Sequence, residues 1–217
     1  MSDFSDRRMA PYLDTANGDH ALAERLYRRN ARLAAGFMEA ESHFEVAFRN
    51  AINRKMQERH RKRGQHGHWL DDPDGELGRD LRSGPQAKPN HKQPYADIAR
   101  AKAQLTRRRI PETDQSNHLV AALPLGFWSQ LVGKRHTRLW PDLAGAFPYA
   151  PSRGRRIVAD PVQRIHTMRN RAGHHHRLPD TDVRAAYESI LAVAGFIDPA
   201  LQRWIDDGSS VPGLLAA

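Results

Sequence analysis

The chain has 217 residues, 39% of them apolar, and a formal net charge of +9, which suits one helical domain with a polyanionic partner. It has no cysteine, so disulfide bonds and thiolate metal sites are excluded. No window approaches the roughly 18 continuous apolar residues of a membrane span, and the first ten residues lack the apolar stretch of a signal peptide. We expect a single domain over residues 1–217, cytoplasmic and without a membrane partner.

A long helical pattern covers residues 21–63. Asp19 is the expected N-cap, and apolar side chains then recur at helical spacing. Gly36 is the one position at which this pattern could break. The cations of residues 59–63, followed by Gly64, predict the end of the helix, because cations and glycine both favour a C-terminus.

Residues 64–93 differ from the helix that precedes them. They are rich in glycine and proline and poor in apolar residues, which predicts a long loop or a small insertion. Trp69 and Leu70 are its expected anchor to the core. Helical patterning resumes over residues 95–108 and again from about residue 114.

The C-terminal part predicts three further helices. Asp160-Pro161 predicts a start, since an N-cap carboxylate precedes proline at the first helical position. A second helix begins near residue 180, and Asp198-Pro199 starts a short third one. The tryptophans at helical spacing, Trp128, Trp140 and Trp204, are expected in the core. With no alternating strand pattern, the fold class is all-α, a bundle of about five or six helices.

The six residues 169–174 carry the chemistry: Arg-Asn-Arg-Ala-Gly-His. At ~100° per residue, His166, Asn170 and His174 share one helix face. The Arg169 guanidinium can hold a phosphodiester by paired hydrogen bonds, and an imidazole can move a proton at neutral pH. Such groups can cleave RNA without a metal. Gly173 is expected to end the helix and to let His174 turn inward.

Three segments carry a resemblance to a known family. Residues 169–175 resemble the R-x(4–6)-H signature of HEPN-domain ribonucleases, with asparagine after the arginine. Residues 44–52, FEVAFRNAI, are similar to the LEVALRNAI helix of the Abi-like (abortive-infection) branch. Residues 123–131, LPLGFWSQL, followed by Leu139-Trp140, are similar to its LPFGFW…L…LW segment. The order and spacing match across residues 12–196.

The resemblance implies a HEPN-like helical fold that forms a homodimer, with the two signatures meeting in one cleft. It implies a metal-independent endoribonuclease without a cofactor, in phage defence or as a toxin, with RNA as substrate. Carried over by position, Arg169 and His174 are the catalytic pair and Asn170 supports them. Glu45 on the early helix would orient Arg169. Many relatives have glutamate where this chain has His176, which removes a partner for the imidazoles.

Other side chains are assigned supporting roles. His166 and His175 are expected beside the catalytic pair. The arginines expected to contact RNA phosphates without reading sequence are Arg171, Arg49, Arg155 and Arg156.

Structural readings of the same residues stay open. Arg169 and Asn170 could cap a helix end or pair with carboxylates, and Glu45 could form an intrahelical ion pair with Arg49. The run His174 to His176 favours no metal site, because three consecutive residues cannot all face one ion on a regular helix. At the level of function, the alternatives are an RNA-binding protein of a defence system that does not cleave, and a toxin component held inactive by a partner antitoxin. Either alternative adds an antitoxin or a regulatory RNA as a candidate partner.

Overall fold

The computed structural model describes residues 6–78, 94–111 and 115–216. This part of the chain is all-α, which confirms the predicted fold class, and it contains no strand. Its helices outnumber the five or six expected, because turns divide the apolar segments into several short helices. They are α1 (Asp6–Thr15), α2 (His20–Lys62), α3 (Pro73–Leu77), α4 (Pro94–Arg107), α5 (Gln115–Ala122), α6 (Leu125–Leu131), α7 (Trp140–Leu143), α8 (Arg156–Gly173), α9 (Asp180–Ile197), α10 (Pro199–Gly208) and α11 (Val211–Ala216).

The central element is α2, a helix of 43 residues. The Asp19 carboxylate caps it as predicted, accepting hydrogen bonds from the N–H groups of Ala21 at 2.8 Å and Leu22 at 3.0 Å. The expected break at Gly36 is absent. A Cβ at Gly36 would lie 2.6 Å from the Ser210 Oγ, so the glycine lets the start of α11 approach α2. The fully buried stripe of α2 that forms the core includes Leu33, Phe37, Phe44, Phe48 and Ile52.

The predicted start of α8 at Asp160-Pro161 is wrong, since the helix begins at Arg156 and Pro161 lies inside it. The extra turn buries Val158 completely, and the N–H groups of Val158 and Ala159 both bond to the Arg155 carbonyl. Proline inside a helix loses one backbone hydrogen bond and crowds the carbonyl one turn earlier, and the burial of apolar side chains on this turn outweighs that cost.

The predicted loop after α2 contains regular structure where it is described. Residues 69–71 form a turn of 3-10 helix and α3 follows, while residues 79–93 lie outside the described residues. Trp69 and Leu70 are fully buried, which confirms them as the anchor. The Trp69 indole N–H donates to the Asn53 side-chain oxygen on α2 at 2.7 Å.

A buried group of charges, which we name the Glu76 cluster, fastens α3 to the end of α2. Glu76 is fully buried, and its carboxylate pairs with Arg59, with the His60 Nδ1 at 2.9 Å and with Arg63 at 3.1 Å. Three partners from one helical stretch satisfy one carboxylate, as a buried charge requires.

The three tryptophans expected in the core differ in burial. Trp128 is fully buried, and Trp140 is partly buried and stacks on Phe147 at 6.0 Å between ring centroids. Trp204 is 60% exposed, so this expectation was wrong. On the short helix α10 the next residue, Ile205, faces the core, and a neighbour ~100° away must then point outward. None of the described helices has the length and hydropathy needed to cross a bilayer.

Candidate functional site

A cleft of about 560 Å³ opens between α6 and α8, and we name it the α6–α8 cleft. Most of the residues that line it carry polar side chains, including cations and amides, although more of the lining surface is apolar than polar. The described residues that line it are Asp97, Pro124, Leu125, Gly126, Ser129, Gln130, Gly133, Lys134, Arg135, Gln163, His166, Arg169 and Asn170. Two of the three residues predicted to act in catalysis, Arg169 and Asn170, are therefore brought together here with His166.

The amphipathic pattern of α8 places these side chains. Its apolar stripe, which includes Ile165 and Met168, is buried, so His166 and Asn170 lie on the face that borders the cleft. The Asn170 Nδ2 lies 3.3 Å from the His166 Nε2. The two side chains are within hydrogen-bond distance, and the His166 tautomer sets which of them donates. The Asn170 side chain thus contacts His166 and not His174, which it was expected to position.

Gly126 allows His166 to approach α6 closely. A Cβ at this position would lie 3.1 Å from the His166 Nε2, which is tighter than ordinary van der Waals contact. A larger residue at 126 would push the imidazole away from Asn170. The LPLGFW segment therefore has a direct geometric role in the cleft, through its glycine.

Arg169 is half-buried and its guanidinium points toward the end of α8. Its Nη1 lies 3.9 Å from the position of a Cβ on Gly173. Within the described residues no hydrogen bond or ion pair engages this guanidinium. A half-buried cation whose donors are unused is suited to bind an anion.

A pair of carboxyl groups on α2 stands behind Arg169. Glu41 is only 2% exposed and its Oε1 has no hydrogen-bond partner. The pKa of Glu41 is raised to about 8, first by burial and then by the charge of Glu45 and a hydrogen bond with it, while the charge of Arg169 opposes the rise. Glu41 therefore holds a proton at neutral pH beside Glu45, the acidic residue that the family resemblance singles out.

Sequence analysis missed Glu41. Its position was visible in the spacing, because Glu41 is four residues after Phe37 and three before Phe44, both fully buried. An acidic residue at a core position of an apolar helical stripe is unusual. This signal alone could have identified Glu41 as a buried carboxyl group.

His174 lies outside the α6–α8 cleft. The helix ends at Gly173 as expected, but His175 is the residue with left-handed backbone, at φ 55°. Its N–H bonds to the Ala172 carbonyl and the His176 N–H bonds to the Arg171 carbonyl, each at 2.9 Å, which is a Schellman ending. His174 stays exposed instead of turning inward, with its ring 6.2 Å from that of His176 between centroids.

The arginines assigned to RNA phosphates do not line the cleft. Arg171 pairs with Asp182 at 2.9 Å, Arg155 donates to the Val132 carbonyl at 2.9 Å, and Arg156 is exposed. Arg49 donates to the Ala121 carbonyl at 3.5 Å and forms no ion pair with Glu45 among the described contacts. The cations that do border the cleft beside Arg169 are Lys134 and Arg135, which follow α6 and were not singled out.

A second groove, of about 360 Å³, adjoins the exposed end of α8. Small and apolar side chains of α2 form most of it, and we name it the alanine groove. Its described lining is Arg8, Tyr27, Asn30, Ala31, Ala34, Ala35, Met38, Ala172, Gly173 and His175. The end of α8, next to which His174 lies, therefore borders an open groove of mostly apolar side chains.

The arrangement joins a cation with unused donors, an amide and an imidazole in one cleft, with a further imidazole exposed at the adjacent helix end. These groups can bind a phosphate and transfer a proton near neutral pH. Within residues 6–78, 94–111 and 115–216, no three His, Asp or Glu side chains are grouped to hold a metal ion. Comparisons with protein-family models, with curated proteins and with solved structures found no match.

Proposed function

We propose that this chain is a HEPN-type, metal-independent endoribonuclease of the Abi-like kind, active in abortive infection or as a toxin. The observation that carries the proposal is the Arg169 guanidinium, which borders the α6–α8 cleft and has no hydrogen-bond or ion-pair partner among the described residues. The net charge of +9 adds long-range attraction for a polyanion. The resemblance of three segments to the Abi-like family supports RNA as that polyanion.

The proposed reaction is a transesterification within the RNA strand. An imidazole takes the proton of a ribose 2′-OH, and the 2′-oxygen forms a bond to phosphorus while the bond to the 5′-oxygen breaks. A protonated imidazole gives its proton to the leaving 5′-oxygen. Arg169 binds the phosphate and stabilises the charge that develops on it. The products are a 2′,3′-cyclic phosphate and a 5′-hydroxyl.

We assign the proton transfers to His174 and to His166. His166 lies inside the cleft beside Asn170. His174 is exposed one residue beyond Gly173, next to which the Arg169 guanidinium lies. A phosphate held by Arg169 at the end of α8 is thereby offered one imidazole from the cleft and one from the helix end.

The exposed position of His174 supports a dimer. A second copy that covers the alanine groove would enclose the helix end and bring two sets of Arg169 and His174 together. Removing water there strengthens each charge interaction with the phosphate. Ala35, exposed on this groove, is the place to test it: Ala35→Arg is expected to shift the chain from dimer to monomer in sedimentation, with RNA cleavage lost in parallel.

The direct test is cleavage of RNA by the purified chain in EDTA. Arg169→Gln and His174→Ala are each expected to slow cleavage by about 100-fold or more, since each removes a group that acts in the transition state. Arg171→Gln and His176→Ala are the matched controls, because Arg171 is paired with Asp182 and neither residue lines the cleft. Equal cleavage by wild type and His174→Ala, or none by wild type, contradicts the assignment.

One observation favours a second function, RNA binding without cleavage. His174 is absent from the cleft lining, so a single copy can hold a phosphate without using it. In that case RNA binding falls steeply with salt and is unchanged in His174→Ala. An antitoxin or a regulatory RNA that occupies the same cleft would act as a partner under either function.

A further inference from the structure

The α6–α8 cleft holds one acidic side chain among its described lining residues, Asp97 of α4. Its side chain is 19% exposed, and Arg100, a cation that pairs with it, is 76% exposed and lies 3.5 Å away. Burial raises the pKa of Asp97, and the charge of Arg100 only partly opposes this. A largely buried carboxylate with so weak a partner gains from a ligand that donates hydrogen bonds to it.

We propose that the α6–α8 cleft is a guanine pocket, in which the Asp97 carboxylate accepts hydrogen bonds from N1–H and N2–H of a guanine base. The inference rests on the proposed function, in that the ligand is a nucleotide of the RNA that Arg169 holds by its phosphate. It adds a substrate preference: the strand is cut on the 3′ side of guanosine.

The choice of guanine follows from the donors of the four bases. A carboxylate offers two acceptor oxygens side by side, and proteins read unpaired bases along their Watson–Crick edges. Guanine alone presents two adjacent donors on that edge. Cytosine and adenine each place one amino donor beside an acceptor nitrogen, and uracil places one N–H between two carbonyl groups. With these three bases at least one Asp97 oxygen would face an acceptor.

The shape of the cleft fits a nucleotide. Its volume of about 560 Å³ falls within the range of about 300–1,000 Å³ that small-molecule sites occupy. Pro124 and Leu125 form an apolar wall at one side of the cleft, against which a flat base can lie. The space over Gly126 is taken by the His166 ring. Lys134, which is exposed at the border of the cleft, adds positive charge for the phosphate.

The test is the affinity of the purified chain for the four nucleoside 3′-monophosphates, measured by titration calorimetry. Guanosine 3′-monophosphate is expected to bind about tenfold or more tightly than the others, as a bidentate base contact provides. Asp97→Asn presents one acceptor and one donor, which matches the edges of adenine and of cytosine. This variant is expected to lose the guanine preference and to bind adenosine and cytidine 3′-monophosphates more tightly than wild type does.

Asp160→Asn is the matched control, because Asp160 is an exposed acid on α8 that does not line the cleft. It is expected to keep the wild-type preference. Equal binding of the four nucleotides by wild type, no binding of any of them, or a guanine preference that survives in a folded Asp97→Asn variant each overturns the inference.

The measurements distinguish a failure of the guanine-pocket inference from a failure of the proposed nuclease function. Calorimetry measures binding without cleavage, so it reports on the pocket whether or not the chain cuts RNA. Guanine preference in a chain that does not cut RNA supports the pocket and rejects the nuclease. RNA cleavage whose product ends show no guanosine bias supports the nuclease and rejects the pocket.

Discussion

Two buried carboxyl groups, Glu76 on α3 and Glu41 on α2, have opposite surroundings. In the Glu76 cluster, a fully buried carboxylate meets two arginines and a histidine, and both of its oxygens are paired. Near the α6–α8 cleft, Glu41 is equally buried but faces a second carboxyl group, Glu45, and one of its oxygens has no partner.

The two carboxyl groups differ in whether all their oxygens have partners, and not in the type of residue. A closed set of partners holds α3 in place and leaves nothing to bind a ligand. At the cleft, Arg169 does not compensate the two acids by a direct ion pair in the described structure, so its donors remain available. Buried polar groups that are left incompletely paired cost stability, and such costs gather at functional sites.

The largest expected effect is on the Glu76 cluster. Glu76→Ala leaves Arg59 and Arg63 beside an empty, buried position, and is expected to lower the free energy of unfolding by about 3 kcal/mol. Urea denaturation measures this. Glu58→Ala is the control, since Glu58 forms a more exposed pair with Lys55 and should cost less than about 1 kcal/mol. Equal losses of unfolding free energy in the two variants would show that the Glu76 cluster stabilises the fold no more than an exposed ion pair does.

The next effect is a pH dependence caused by Glu41. Its pKa is about 8 in the folded chain and near the ordinary value of 4.5 when unfolded, so between these values the folded state holds a proton that the unfolded state releases. The free energy of unfolding therefore falls as pH rises through this range, by at most about 1.4 kcal/mol per pH unit.

Glu41→Gln keeps the shape and removes the titration. Urea denaturation from pH 5 to pH 8 is expected to give a flatter profile for the variant, which at pH 8 should exceed wild type by about 2 kcal/mol. If the free energy of unfolding has the same slope against pH in wild type and in Glu41→Gln, the contrast drawn between Glu41 and Glu76 is wrong.

The smallest expected effect is a change in the pKa of Glu41 when the charge of Arg169 is removed. The charge of Arg169 lowers the pKa of Glu41, so Arg169→Gln is expected to raise that pKa further. NMR titration of the Glu41 carboxyl carbon measures it. Arg171→Gln, two residues along α8 and paired with Asp182, should leave the titration unchanged. If the pKa of Glu41 is the same in wild type, Arg169→Gln and Arg171→Gln, the charge of Arg169 does not act on Glu41.

Much of the fold could be predicted from local patterns. The bounds of α2, its cap at Asp19 and the starts of α9 and α10 all match the structure within one or two residues. Asp198 caps α10 through a hydrogen bond from the Ala200 N–H at 2.8 Å. These features depend on hydrogen bonds and side chains within a few residues of each other, which the sequence contains directly.

The expectations that failed are those that a distant contact overrides. Gly36 breaks no helix because α11 packs against it, and Pro161 starts no helix because burial of Val158 extends α8 by a turn. Trp204 is exposed because Ile205 takes the core-facing position on α10. Propensity gives way to tertiary packing at each of these sites.

The sequence by itself determined the all-α class, the caps of α2 and α10, and the presence of His166 and Asn170 on one face of α8, because these features depend on residues within a few positions of each other. Only the tertiary structure decided which groups share a site. It buried Glu41 behind Arg169, brought Asp97 into the cleft and left His174 outside it, because those positions depend on how α2, α4 and α6 pack around α8.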